Sequence, residues 1–178
     1  MAPELDTPRL RLRALTEQDL QTWSAVTADP EVTRYIGGLA MSREETWRRL
    51  LATAGSWAML GYGYWAVERK EDGRMIGHAG FADFKRDMAP SIEGMPEMGW
   101  VFARDAHGQG FASEAVGAAL SWADEALKGR EFVAIISPAN APSIRVAERA
   151  DFVRGEEGRY KDEPVLLFRR PSASGRAS

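Results

Sequence analysis

Glu97-Met-Gly-Trp-Val-Phe-Ala103, followed by Arg104-Asp-Ala-His-Gly-Gln-Gly-Phe-Ala-Ser-Glu-Ala115, decides the fold. Trp100, Val101 and Phe102 are β-formers in a short apolar run, which predicts a strand. Gly108 and Gly110 allow a sharp turn and a close approach of backbone to ligand. From Ala112 to Leu127 the spacing is helical, with Ala115, Ala119, Trp122 and Ala126 on one face. Ser113 and Glu114 are acceptors suited to the first turn. The first N–H groups of such a helix lack intrahelical acceptors, so a strand, glycine loop and helix in this order form an anion site suited to phosphate.

Two dinucleotide patterns match this loop only weakly. A Walker loop needs Gly-Lys-Ser/Thr, whereas Gly110 is followed by Phe111. A Rossmann loop needs a small third residue at 113 and an acidic residue at the end of the next strand. Here position 113 is Ser, and that strand ends Ile135-Ile136-Ser137.

His107-Gly-Gln-Gly-Phe-Ala112 instead resembles the acyl-CoA diphosphate loop of the GNAT superfamily of N-acetyltransferases, Gln/Arg-x-x-Gly-x-Gly/Ala. Gly110 and Ala112 match the two small positions, and His107 stands where Gln or Arg is usual. Downstream, Asn140-Ala-Pro-Ser143-Ile-Arg-Val-Ala-Glu-Arg-Ala-Asp-Phe152 resembles the superfamily's second signature. Asp151 replaces its usual Gly, which predicts a strained or differently closed turn there. The opening Arg9-Leu-Arg-Leu-Arg-Ala-Leu, a helix containing Asp19 and the pair Asp29-Pro30 look like the branch that holds the ribosomal-protein N-terminal acetyltransferases. The resemblance covers nearly the whole chain.

Composition bounds the classes. The 178 residues suit one domain, and 44% hydrophobic with 28% charged content suits a packed core and a solvated surface. The net charge of −3, with no basic stripe, argues against a nucleic-acid binder. With no cysteine there is no disulfide, thiolate metal site or Cys nucleophile. His78 and His107 are the only histidines, too few for a His-based metal site, and no metal is expected. Met1-Ala-Pro-Glu-Leu-Asp6 has no signal-peptide pattern, and no apolar run is long enough to span a bilayer. The expected location is cytoplasmic, with no membrane partner.

Around the central stretch the pattern predicts a strand at Arg9 to Leu15, then a helix from Thr16 or Asp19 to about Ala28, broken by Asp29-Pro30. Glu31 to Ile36 is a helical turn or irregular. Ser42-Arg-Glu-Glu45 is a capping box opening a helix whose apolar face is Trp47, Leu50 and Leu51, ending before Gly55. Trp57, Tyr62, Tyr64 and Trp65 read as core or, alternatively, as an acceptor wall or subunit contact that makes a homodimer. Asp72-Gly73 marks a hairpin between strands Tyr64 to Glu68 and Arg74 to Phe84. Lys85 to Pro96 is a loop. Glu131 to Ile136, Phe152 to Glu156 and Val165 to Arg169 are strands, with Gly158 between the last two. The expected architecture is α/β (α+β): one mixed, mostly antiparallel twisted sheet of about seven strands with about four helices, and the resemblance implies the acyl-CoA N-acyltransferase fold. One domain over residues 1–170 and a polar tail over 171–178 complete it.

The resemblance implies transfer of an acetyl group from acetyl-CoA to a primary amine, on a peptide or protein N-terminus or a small molecule, within a ternary complex. The strands at 97–103 and 131–136 would splay apart around pantetheine, bonded near Val101, Phe102 and Ala103. The diphosphate would lie on His107, Gly108, Gln109, Gly110, Phe111, Ala112 and Ser113. Asn140 would bond the pantetheine arm, and Ser143 would protonate the leaving thiolate. Asn140 also reads as a turn former, and Ser143 as a helix-start hydroxyl. Glu97 is the leading base, acting through water, with Tyr160 and Asp162 behind it; it also reads as an ordinary exposed carboxylate. A non-catalytic acyl-CoA-binding or sensing module on the same fold, or a plain interaction domain, are the competing classes.

Overall fold

The computed structural model describes residues 1–172, so most of the expected tail lies outside the described residues. They form nine strands and five α-helices: β1 (Leu5–Asp6), β2 (Leu10–Arg13), α1 (Asp19–Thr27), α2 (Pro30–Thr33), α3 (Arg43–Leu60), β3 (Tyr64–Arg69), β4 (Arg74–Ala82), β5 (Met88–Ala89), β6 (Glu97–Phe102), α4 (Phe111–Ala126), β7 (Phe132–Ile136), α5 (Ala141–Arg149), β8 (Val153–Tyr160) and β9 (Glu163–Arg170). The sheet is mixed and mostly antiparallel. The count exceeds the expected seven strands and four helices because β1, β5 and α2 are two to four residues long, too short for any periodicity to register.

The chain forms two compact units. The first holds Met1–Gly80 and Trp100–Ala118, with the antiparallel order β1-β2-β3-β4. Leu10 and Leu12 of β2 point inward while Arg11 points out, as the alternation required. Trp23, Val26 and Val32 of α1 and α2 pack on Ala66, Met75 and Ala103. A hydroxyl pair, Thr27 to Thr46 at 2.8 Å, ties α1 to α3. The capping box at Ser42 and Glu45 is present. However, α3 runs past Gly55 to Gly61, which closes it at φ +75°. A helical Gly costs only about 1 kcal/mol, and buried Trp57 holds the extra turns down. Leu50 is buried as expected, but Leu51, also expected inward, is 51% exposed, and Thr46 and Trp57 complete the buried face. Trp57, Tyr62, Tyr64 and Trp65 are all buried, so the core reading of these aromatics holds.

The second unit holds Phe81–Gly99 and the chain from Ala119 onward. Its strand order is β6-β7-β9-β8-β5, with β6 parallel to β7 at Glu97↔Val133 and the rest antiparallel. Ile92, Val133 and Leu167 form one core cluster, and Phe81 lies 5.3 Å from Phe132. The β8–β9 turn is not at Gly158. It is Lys161-Asp162, both left-handed at φ 51° and 63°, the two-residue hairpin geometry. Gly158 sits inside β8, where a Cβ would come 2.8 Å from Ala89 O; the close approach of β5 is what the glycine serves.

Candidate active site

In the first unit, β6 ends at Phe102 and a 3-10 turn over Arg104–Ala106 leads into His107. Gly108 and Gly110 follow at φ +74° and +80°, and α4 starts at Phe111. Nothing lies within 4 Å of where a Cβ on Gly108 would sit. The first intrahelical bond at this end runs from Glu114 N–H to Gly110 O at 3.1 Å. The N–H groups of Phe111, Ala112 and Ser113 precede it and are the helix's free donors. Side chains hold the loop in shape. The His107 ring Nε2 lies 3.0 Å from Phe102 O; since a carbonyl only accepts, Nε2 carries the proton. Gln109 Nε2 donates to Asp105 O at 2.7 Å. Ala103 N–H is engaged with Ile76 O at 2.8 Å, so it and Phe102 O already have partners inside the protein.

One support comes from far away in sequence. Arg9 donates through Nη1 to Gln109 O at 2.9 Å and through Nε to Glu114 Oε2 at 2.7 Å. Its guanidinium lies 4.6 Å from the Phe111 ring centre. Thr7 Oγ1 donates to Glu114 Oε1 at 2.6 Å. Burial alone would raise the Glu114 pKa, but the Thr7 and Arg9 bonds outweigh it and hold the carboxyl below its ordinary value.

In the second unit, Asn140 caps α5, its Oδ1 accepting from Ser143 N–H at 3.2 Å, with proline in the first turn. Ser143 is half-buried there. At the other end of α5 the chain closes with Asp151 N–H to Glu148 O at 3.2 Å and Phe152 N–H to Ala147 O at 3.1 Å. Asp151 adopts φ +63°, the left-handed conformation that the usual Gly would take, so the turn is the ordinary two-bond helix stop with an Asp in it.

Glu97 is only 5% exposed, not the ordinary exposed carboxylate of the alternative reading. Arg86 grips it through Nε and Nη2 at 2.6 and 2.8 Å, and stacks 4.7 Å from the Tyr160 ring centre. Asp162 is in the β8–β9 turn.

Residues 9–153 match the acetyltransferase (GNAT) domain family. The chain belongs to that family. It is therefore an acetyltransferase. The uncharacterized protein YkkB of Bacillus subtilis is 30% identical over 172 residues, covering 95% of this chain and 96% of its own. An acetyltransferase from Agrobacterium tumefaciens superposes with a TM-score of 0.82 at 29% identity, over 96% of this chain and 95% of its own. RimL, a ribosomal L7/L12 α-N-protein acetyltransferase solved with coenzyme A, superposes at 0.78 over 95% of this chain and 98% of its own. Its identity is 18%, so that likeness shows the GNAT fold alone.

Within this GNAT chain, reasoning from sequence missed Arg9, Glu114 as its partner, and Arg86. It also left His78 unused. That ring packs between Trp23 at 4.3 Å and Tyr64 at 4.7 Å. Burial, helped by the positive charge of Arg49, pushes its pKa down to about 3, so it is neutral at physiological pH. The runs of alternating Arg and Leu announced a strand; nothing local announced which Arg would reach the loop.

Proposed function

We propose that the protein is an acetyl-CoA-dependent N-acetyltransferase that moves the acetyl group directly to a primary amine in a ternary complex. The observation that carries this is the loop: free amides at the start of α4, two left-handed glycines, and open space over Gly108, at the positions where the family's diphosphate motif stands. The family relationship and the coenzyme A named in the RimL structure support it. The group supplies an activated acetyl thioester. His107, Gly108, Gln109, Gly110, Phe111, Ala112 and Ser113 hold its diphosphate, and Val101, Phe102, Ala103 and Asn140 its pantetheine arm. Ser143 gives its hydroxyl proton to the departing thiolate. Glu97, through water, accepts the proton that the acceptor ammonium must lose before its nitrogen attacks, with Tyr160 next in line. The acceptor is a peptide or protein N-terminus, as the RimL description names for that protein, or a small-molecule amine. The domain runs over residues 1–170, and the location is cytoplasmic.

The test is acetyl-CoA turnover against peptide N-termini, polyamines, aminoglycosides and amino acids, with calorimetry of CoA binding to wild type and Gly110→Asp. Gly110→Asp sets a carboxylate in the anion site and should cost at least about tenfold in affinity. Binding without transfer to any amine would favour the sensing module. Affinity unchanged in folded Gly110→Asp would remove the loop assignment.

A further inference from the structure

Resting on that reading, we infer that Arg9 is a cofactor-binding residue: it supplies the cation of the diphosphate site, neutralising Glu114 and offering Nη2 to a phosphate oxygen. Residues 107–113 contain no Lys or Arg, so the loop brings only backbone dipoles to a multiply charged ligand. Worse, Glu114 places a carboxylate in the first turn of the helix that must receive the phosphates. A carboxylate there suits the helix dipole but repels a second anion. Arg9 removes that conflict. Its backbone N–H and its Nε take the two oxygens of Glu114 at 2.9 and 2.7 Å, and Nη1 takes Gln109 O at 2.9 Å.

Those bonds fix the guanidinium plane over Phe111 and place Nη2 above Gly110, 3.4 Å from where a Cβ on that residue would sit. The side chain remains 48% exposed, so a ligand on the loop can reach it. A planar fork with Nε and Nη1 bonded and Nη2 left to a ligand is what arginine, and not lysine, provides. Glu114, 16% exposed and held also by Thr7, is the anchor that sets its direction. The arrangement spans 105 positions of sequence and joins the bend before β2 to the loop.

Calorimetry with CoA, and turnover with acetyl-CoA and with S-acetylpantetheine, which lacks the diphosphate, test this in four variants. Arg9→Gln should weaken CoA about 10- to 100-fold, the worth of one charge-assisted bond plus an unmasked Glu114. It should leave the KM for S-acetylpantetheine unchanged. Arg9→Lys should fall between. Arg9→Gln with Glu114→Gln should recover part of the loss, because the repelling charge has gone. CoA affinity of Arg9→Gln within twofold of wild type, or an equal loss with S-acetylpantetheine, overturns the inference alone. Wild type that binds no CoA overturns the functional reading and the inference together. Should Arg9→Gln not fold, Glu114→Gln decides. Affinity unchanged or tighter supports a cation freed from its masking anion. A tenfold loss overturns it, since the site would then need the carboxylate as a latch.

Discussion

Arg86 closes on both carboxylate oxygens of Glu97, Nε to Oε2 at 2.6 Å and Nη2 to Oε1 at 2.8 Å. The guanidinium also lies 4.6 Å from the Phe84 ring centre and 4.7 Å from that of Tyr160. Burial would lower the Arg86 pKa, but the bonds to Glu97 outweigh it and raise it. Each Glu97 oxygen thus already accepts one bond from Arg86, and a water can reach it only at its remaining lone pair.

This gives a paired prediction. Glu97→Gln and Arg86→Gln should each lower unfolding stability by about 3 kcal/mol, because each strands a buried partner. Their rates should diverge. Glu97→Gln should lose kcat/KM most at low pH, where the acceptor amine is protonated, whereas Arg86→Gln leaves the carboxylate in place and open to water. Urea denaturation and pH–rate profiles of both variants measure this. Identical rate profiles in the two variants would take the base role from Glu97.

Asn140 caps α5, and substitution can separate that job from the pantetheine contact proposed for it. Its Oδ1 caps α5, so Asn140→Ala should cost about 1 kcal/mol of stability whatever the cofactor does. Asn140→Asp keeps the accepting oxygen and loses the amide donor. It should retain wild-type stability yet bind CoA several-fold more weakly if the amide serves the pantetheine arm. Thermal unfolding beside calorimetry reads both. Wild-type CoA affinity in Asn140→Asp would leave Asn140 as a helix cap only.

The central strand, loop and helix were legible because their signals are local: apolar β-formers, two glycines, then helical spacing, all within residues 97–126. Asn140 and the proline after it were legible for the same reason. Arg86 is 11 positions from Glu97 inside an irregular loop, and Arg9 is 105 from Glu114; no periodicity encodes either pairing. The glycines misled in both directions. Gly55, where the pattern ends a helix, sits inside α3, and Gly158, which the pattern places between two strands, sits inside β8. A glycine signals a turn or a close approach, and only the neighbours tell which.

Two glycines test that distinction. Nothing lies within 4 Å of a Cβ on Gly55, so Gly55→Ala should stabilise the protein by roughly 0.5–1 kcal/mol through helix propensity and a less flexible unfolded chain. A Cβ on Gly80 would lie 2.3 Å from Gly63 O and 2.5 Å from Tyr64 Cα, at φ +157°. Both neighbours are backbone and cannot step aside, so Gly80→Ala should cost about 2–3 kcal/mol. Urea midpoints of the two variants, shifted in opposite directions, are the expected result. A destabilised Gly55→Ala would mean that α3 does not continue through that position.

His78 should make stability fall with acidity well before the carboxylates titrate. Its ordinary value is 6.5, and burial between Trp23 and Tyr64, with Arg49 adding positive charge, pushes it down to about 3. The unfolded chain therefore binds a proton below pH 6.5 that the folded chain refuses. Stability from this group is complete above pH 6.5 and is lost progressively as pH falls toward 3. The steepest slope one group can give is about 1.4 kcal/mol per pH unit. Asp19 and Glu114 are held below their ordinary values of 3.8 and 4.5, so their contributions, of the same sign, appear only at lower pH. The interval between about pH 6.5 and 5 thus isolates the histidine. His78→Phe keeps a ring between Trp23 and Tyr64 and has nothing to titrate. Urea unfolding across that interval should show the wild type losing stability and His78→Phe holding level. Parallel slopes in the two proteins would mean that the folded state accepts a proton on the half-buried His78 without cost.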